Sequence, residues 1–260
     1  MFFQGDEQMK PFAGKVAMVT GGGSGIGRAT SLAFAKKGAK VVVVGRTKEN
    51  IEETQEMIRG LGGESLAVQA DVSQDKQVRK MIQTTMERFG RLDFACNAAG
   101  TGGKLAPLAD TTEKDFDRTM AINLKGIWLC MKHQIRQMRK QGSGTIVNIS
   151  SINGLDGHPN AAVYSASKSG VISLTKSAAL EYAQFNIRIN AICPGAVRTP
   201  MLEQVFKQTG LTPNQYESKI PLHRIGDPDD IARSVTWLCS DEAGYVTGHI
   251  LIVDGGVSAG

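Results

Sequence analysis

No stretch of this sequence reaches the about eighteen uncharged apolar residues that a membrane-crossing helix needs, so no membrane partner is expected. Cysteine is sparse. Cys96, Cys130, Cys193 and Cys239 lie far apart, with no CxxC pair and no histidine at ligand spacing, which argues against a metal site and a disulfide framework. Buried thiols in a reducing cytoplasm are the simplest account. The N-terminal MFFQGDEQMK has no basic segment leading into a long apolar run and does not read as a secretory signal, so the expected location is the cytoplasm. Charge of one sign is also scarce, with a net charge of only +5. The densest basic stretch, Lys132 to Lys140, falls at a predicted helix end, where cations suit the macrodipole. No aromatics interleave with it, so nucleic acid is not an expected partner. There is no Pro/Ser-rich linker and no internal repeat, and 260 residues leave little room for a second domain. Residues 1–14 read as an N-terminal tail and 15–260 as one domain.

What the chain does have is alternation. Apolar, β-branched runs at Val16–Thr20, Val41–Val44, Ser65–Gln69, Leu92–Ala95, Thr145–Ile149, Ile187–Cys193 and Ile250–Val253 are separated by longer stretches of helical spacing. Helices are predicted over Gly25–Lys37, Lys48 to about Leu61, Ser73 to about Arg88, Thr112 to about Lys140, Ala162–Ala183 and Asp227 to Cys239. Ser73 is a candidate N-cap, Thr112 and Asp115 form a capping-box pattern, and Asp227-Pro228 supplies a cap with proline in the first turn. Seven such runs predict an α/β, doubly wound Rossmann-type fold: a seven-stranded, mainly parallel sheet with helices on both faces and a crevice at the strands' C-terminal ends.

The first predicted strand runs into Gly21-Gly22-Gly23-Ser24-Gly25-Ile26-Gly27 and then straight into a helix. Such a turn lets backbone approach a pyrophosphate, while the helix N-terminus offers free N–H groups and a positive dipole. The spacing departs from GxGxxG, and a plain strand-to-helix turn has the same composition. An acidic residue about 20 residues further on would bond a ribose hydroxyl, but the second run ends Val44-Gly45-Arg46-Thr47. Arg46 is either an ordinary surface arginine or a partner for a 2′-phosphate. The expectation is therefore NADP(H) over NAD(H), with nearby Glu49 as the residue that would serve NAD.

Tyr164 and Lys168 stand at i, i+4 in a helical pattern, hence on one face. An ammonium beside a phenol, together with the positive nicotinamide of an oxidised cofactor, would favour the phenolate, and a fall of about three pKa units corresponds to roughly 4 kcal/mol. An exposed tyrosine with a solvated lysine meets the same spacing. Ser151 follows a central strand at the edge where open α/β sheets bind ligands, and its hydroxyl could donate to a substrate oxygen or simply cap a turn. Asn123 sits inside a predicted helix that its propensity disfavours, either as a tolerated surface residue or as a polar group holding a water in a proton relay.

Read together, these residues resemble the classical short-chain dehydrogenase/reductase family. The resemblance runs from Lys15 to the C-terminus. It takes in the TGGGSGIG turn, Asp71-Val72, Asn97-Ala98-Ala99-Gly100, Asn123, Ser151, Tyr164, Lys168, Pro194-Gly195, Thr199 and the closing Val253-Asp254-Gly255-Gly256. It implies that Tyr164 is the acid/base, that Ser151 orients a carbonyl, that Lys168 lowers the phenol pKa and binds the nicotinamide ribose, and that Asn123 completes a relay. It further implies a dinucleotide cradle of Gly21, Ser24, Gly25, Ile26 and Gly27, with Asp71 and Val72 at the adenine and Asn97 supporting the turn. Pro194, Gly195, Val197 and Thr199 would hold the carboxamide. The chain departs from the family's common NNAG at Ala98, and Ser24 stands where some NADP-dependent members carry a basic residue.

The implied activity is hydride transfer between NADPH and a ketone or secondary alcohol, with a 3-oxoacyl or general carbonyl compound as the small-molecule substrate. An NAD-linked sugar or polyol dehydrogenase is the alternative, and a non-catalytic dinucleotide sensor is the reading from another class. The segment 196–226, with Met201, Leu202, Val205, Phe206 and Tyr216, is expected to be a substrate lid. The resemblance also implies a homotetramer built through the long helices near Thr112–Lys140 and Ala162–Ala183 and the last strand.

Overall fold

The computed structural model describes residues 10–259. Seven strands, β1 (Val16–Thr20), β2 (Lys40–Gly45), β3 (Ser65–Gln69), β4 (Phe94–Asn97), β5 (Gly144–Ile149), β6 (Ile187–Pro194) and β7 (Ile250–Val253), form one sheet in the order β3-β2-β1-β4-β5-β6-β7. Every strand pairing in it is parallel. The connecting helices are α1 (Gly25–Lys36), α2 (Lys48–Gly60), α3 (Asp75–Phe89), α4 (Glu113–Met120), α5 (Gly126–Gln141), α6 (Ala162–Tyr182), α7 (Pro200–Thr209), α8 (Pro213–Glu217) and α9 (Pro228–Cys239).

The strands are predominantly apolar because both sheet faces are covered. Alternate residues of one strand feed different cores. Val16 and Met18 pack with Val78, Ile127 and Val171 on the side of α3, α5 and α6. Ala17 and Val19 pack with Phe34, Ile51 and Ile231 on the side of α1, α2 and α9. The strand order reverses direction between β1 and β4, and a ligand crevice opens there at the C-terminal edge.

Four sequence expectations change. Residues 1–9 of the proposed tail lie outside the described residues, but residues 10–14 belong to the domain: Phe12 is buried, with ring centroids 4.8 Å from Phe94 and 5.8 Å from Phe34. A lone phenylalanine between proline and alanine carries no periodic signal, so only its tertiary partners reveal it. β4 starts later than Leu92 because both main-chain groups of Leu92 are taken by the Gln141 side chain. Gln74 rather than Ser73 caps α3, since the Ser73 hydroxyl donates to the Asp71 carboxylate at 2.8 Å. The long helix from Thr112 is interrupted by a π-helical turn, Ala121–Lys125, between α4 and α5.

Candidate active site

The glycine turn is built by contact. A Cβ on Gly27 would stand 2.1 Å from the Gly21 carbonyl oxygen, and one on Gly21 would stand 2.8 Å from the Ala99 nitrogen. Helix α1, the turn and the strand-four loop therefore touch backbone to backbone. Ser24 caps α1 in an extended conformation without a side-chain cap bond, and no acid occupies the first helical turn. The positive end of α1 is left to an anion, which fits a dinucleotide pyrophosphate. A cleft of about 160 Å³ opens beside it, lined among others by Gly21, Ser24, Arg46, Thr47, Asn50, Asp71, Val72 and Gly100. Glu49 is not among its lining residues, whereas Arg46 is. Asp71 turns one carboxylate oxygen inward to Ser73 N and Oγ. Val72 is buried against Gly126, where a Cβ would come within 2.7 Å of its methyl group.

Asn97 is placed differently from a residue that lines the crevice. Its amide donates to Gln134 Oε1 at 3.0 Å and to Asn148 Oδ1 at 2.9 Å, and accepts from Gln134 Nε2 at 2.9 Å. Asn148 continues the chain to Thr175 Oγ1 at 3.0 Å. All four side chains are buried, so each polar group needs its partner. Asn97 supports the following turn from beneath, through a network that joins β4 and β5 to α5 and α6. Sequence reasoning missed Gln134, Asn148 and Thr175. The available signal was asparagine at Asn97 and Asn148, in strands that disfavour it; the two are cross-strand partners.

Tyr164, Lys168, Ser151 and Asn123 converge at the C-terminal edge of β5. Ser151 is extended (φ −168°) and caps the 3₁₀ turn Ile152–Gly154, accepting from Asn153 N at 3.2 Å. Lys168 is buried, and its Nζ donates to the Ile149 carbonyl at 2.9 Å while standing 5.8 Å from the Tyr164 ring centroid. Burial pushes the Lys168 ammonium down to about 8. Burial also raises the Tyr164 phenol above its ordinary value, with the Ser151 hydroxyl pulling the other way. The expected acidification of the phenol by Lys168 is thus not set up by the chain alone, because the ammonium is tied to a carbonyl and desolvation dominates.

Asn123 occupies the π-helical turn, where its side chain reaches inward. Its Nδ2 donates to Thr101 O at 2.9 Å and Ser167 Oγ at 3.1 Å, and its Oδ1 accepts from Thr101 N at 2.8 Å. Both amide hydrogens are used within the chain, so the side chain ties helix, loop and α6 together. A Cβ on Gly100 would lie 3.4 Å from Asn123 Oδ1 and 3.7 Å from Lys168 Nζ, which puts the open side of that loop beside both.

The far wall comes from Pro194 to Thr199. Gly195 is pressed on Asp254, Val197 bridges to Gly226, and the Thr199 hydroxyl caps α7, accepting from Leu202 N at 3.3 Å. The Thr199 methyl stands where a Gly25 Cβ would meet it at 3.0 Å, so this segment closes on the glycine turn. Beyond it, residues 196–226 carry the helices α7 and α8. Leu202, Ile220 and Ile225 form a separate small core with Val205, Phe206 and Tyr216. The segment docks on the loop after Gly100, where Leu105 N donates to Gln208 Oε1 at 3.1 Å.

Comparison with known proteins agrees with this geometry. The family model adh_short_C2, described as Enoyl-(Acyl carrier protein) reductase, matches residues 21–258. Levodione reductase of Leifsonia aquatica is 40% identical over 95% of this chain and 96% of its own. The 3-oxoacyl-[acyl-carrier-protein] reductase of Thermotoga maritima is 39% identical over 94% and 98%. Among solved structures, levodione reductase superposes with a TM-score of 0.93 at 40% identity, covering 95% of this chain and 99% of that one. NAD+-bound xylitol dehydrogenase gives 0.90 at 35% identity, covering 94% and 99%. With likeness of this extent on a sheet that brings a tyrosine, a lysine and a serine to the edge of a glycine cradle, the chain belongs to the short-chain dehydrogenase/reductase family of oxidoreductases.

Proposed function

We propose that the chain reduces a ketone, or oxidises the matching secondary alcohol, with NADP(H) favoured over NAD(H). One observation carries this reading: Tyr164, Ser151 and Lys168 lie together beside the glycine cradle, at the strand edge where a cofactor and a carbonyl can meet. Tyr164 gives its proton to the carbonyl oxygen, and Ser151 holds that oxygen in place. Lys168 binds the ribose hydroxyls, and Asn123 keeps the helix and the Thr101 loop in register with it. Asp71 and Val72 receive the adenine, and Gly195, Val197 and Thr199 the carboxamide. The nicotinamide, when bound, supplies or accepts the hydride. The apolar cluster of the 196–226 segment suits a partly apolar substrate of the 3-oxoacyl or general carbonyl class. A panel of ketones, 3-oxoacyl thioesters, enoyl thioesters and polyols, followed at the nicotinamide absorbance, tests it. Turnover confined to enoyl thioesters would overturn the carbonyl assignment.

Arg46 supports the NADPH preference, since it lines the cleft at the end of β2 and Glu49 is not among the lining residues. A guanidinium–phosphate contact is worth about 1.5–3 kcal/mol, so Arg46→Ala is expected to lower kcat/KM for NADPH by roughly 10–100-fold and to leave NADH little changed. A wild-type preference for NADH would favour the NAD-linked polyol reading, to which the likeness to xylitol dehydrogenase lends weight.

A homotetramer is part of the proposal. A groove of about 760 Å³ along α5 and α6 is lined by Met120, Leu124, Trp128 and Leu174, and Ile252 on β7 at the sheet edge is exposed. Light scattering is expected to give the mass of four chains, and the mass of one chain would sink the idea. The four free, buried cysteines support a cytoplasmic location.

A further inference from the structure

We propose that Ser150 is a positioning residue for Lys168, acting through the main chain of α6. The inference rests on reading Lys168 and Tyr164 as the reacting pair. Three consecutive residues at the end of β5 handle three parts of that pair. The Ile149 carbonyl accepts from Lys168 Nζ at 2.9 Å. The Ser150 hydroxyl donates to the Lys168 main-chain carbonyl, also at 2.9 Å. The Ser151 hydroxyl stands beside the Tyr164 phenol. Ser150 is itself fixed to the sheet, because its N–H donates to Ile192 O at 2.8 Å. The lysine is therefore held at both ends by one rigid strand terminus.

The first turns of α6 read Ala162-Val163-Tyr164-Ser165-Ala166-Ser167-Lys168-Ser169-Gly170. Such small side chains give a helix little steric register along its axis, so a directional bond must set its height over the crevice. Among the described residues, Ser150 is the side chain outside α6 that donates to its main chain at this level. The seam around it is tight. A Cβ on Gly154 would lie 2.8 Å from the Lys168 carbonyl carbon, and Ser169 Oγ donates back to Gly154 O at 2.8 Å. Ser150 and Lys168 are both almost fully buried, so no water can take over the bond without opening the seam.

The test compares Ser150→Ala with Ser169→Ala, which removes a neighbouring hydroxyl from the same seam without touching the Lys168 carbonyl. Lys168 is titrated directly by following its acylation against pH by mass spectrometry, a readout that needs no turnover. In Ser150→Ala the midpoint is expected to rise toward that of ordinary lysine as water reaches the amine, and in Ser169→Ala to stay put. In turnover, a misplacement near an ångström can cost about 10²-fold, so a partial slip predicts a roughly tenfold fall in kcat with KM nearly unchanged for Ser150→Ala alone. An unmoved Lys168 midpoint overturns the proposal, and so does an equal effect of both variants that tracks melting temperature. If wild-type turnover does not depend on Tyr164, the reacting-pair reading fails instead, while the acylation midpoints still decide whether Ser150 positions the lysine.

Discussion

Tyr164→Phe is expected to lower kcat for carbonyl reduction by about 10²–10⁴-fold, the usual worth of a placed general acid, with NADPH affinity little changed. The ring is retained and only the oxygen is lost, so packing survives. No neighbour can substitute. The Ser151 hydroxyl can polarise a carbonyl but is a far weaker acid than a phenol, and Lys168 Nζ is held at the Ile149 carbonyl, with its remaining donors assigned to the ribose hydroxyls. Burial raises the phenol pKa, which moves the pH dependence upward, while its sign follows from the form that each direction uses. Reduction uses the protonated phenol, so its rate holds across neutral pH and falls only as pH passes that raised value. Oxidation uses the phenolate and climbs over the same range. Rate profiles in both directions check this, and equal turnover by the wild type and the phenylalanine variant would remove Tyr164 from the mechanism.

Gly27→Ala should cost nucleotide affinity about two powers of ten, near 3 kcal/mol. Alanine would gain up to about 1 kcal/mol of helix propensity at this position, so the sign depends on the contact. The new methyl group would meet the Gly21 carbonyl oxygen at 2.1 Å, the Gly21 carbonyl carbon at 2.6 Å and Gly22 N at 3.0 Å. All three are backbone atoms and cannot rotate away. Relief requires α1 to part from the turn, which spoils the anion cradle and costs about 1–3 kcal/mol as overpacking does elsewhere. Calorimetric titration with NADPH measures the first effect and thermal unfolding the second; binding at wild-type strength would show that the turn tolerates the shift.

Much of the site was readable because it is local. The Gly21–Gly27 turn, the i, i+4 placement of Tyr164 and Lys168, and Ser151 after an apolar run are short-range patterns, and the sheet edge followed from strand order. Asn97 and Asn123 were found, but their immediate partners were not, because a side chain's direction depends on distant residues such as Gln134 and Thr101. Ser150 and Gly154 had no signal at all: a serine and a glycine after a strand look like any turn.

The sequence alone determined the alternation of strands and helices, the parallel sheet and the spacing of the proposed reacting side chains, since periodicity and spacing are properties of neighbouring residues. Tertiary structure decided the rest. It turned one turn of the long helix at Asn123 into a π-helix, drew Phe12 into the core and made 196–226 a helical segment with its own apolar cluster. It also set the surroundings of the Tyr164 phenol, where burial raises the pKa, because a pKa depends on burial and on where a charge is held, and neither exists until elements remote in the chain close around the group.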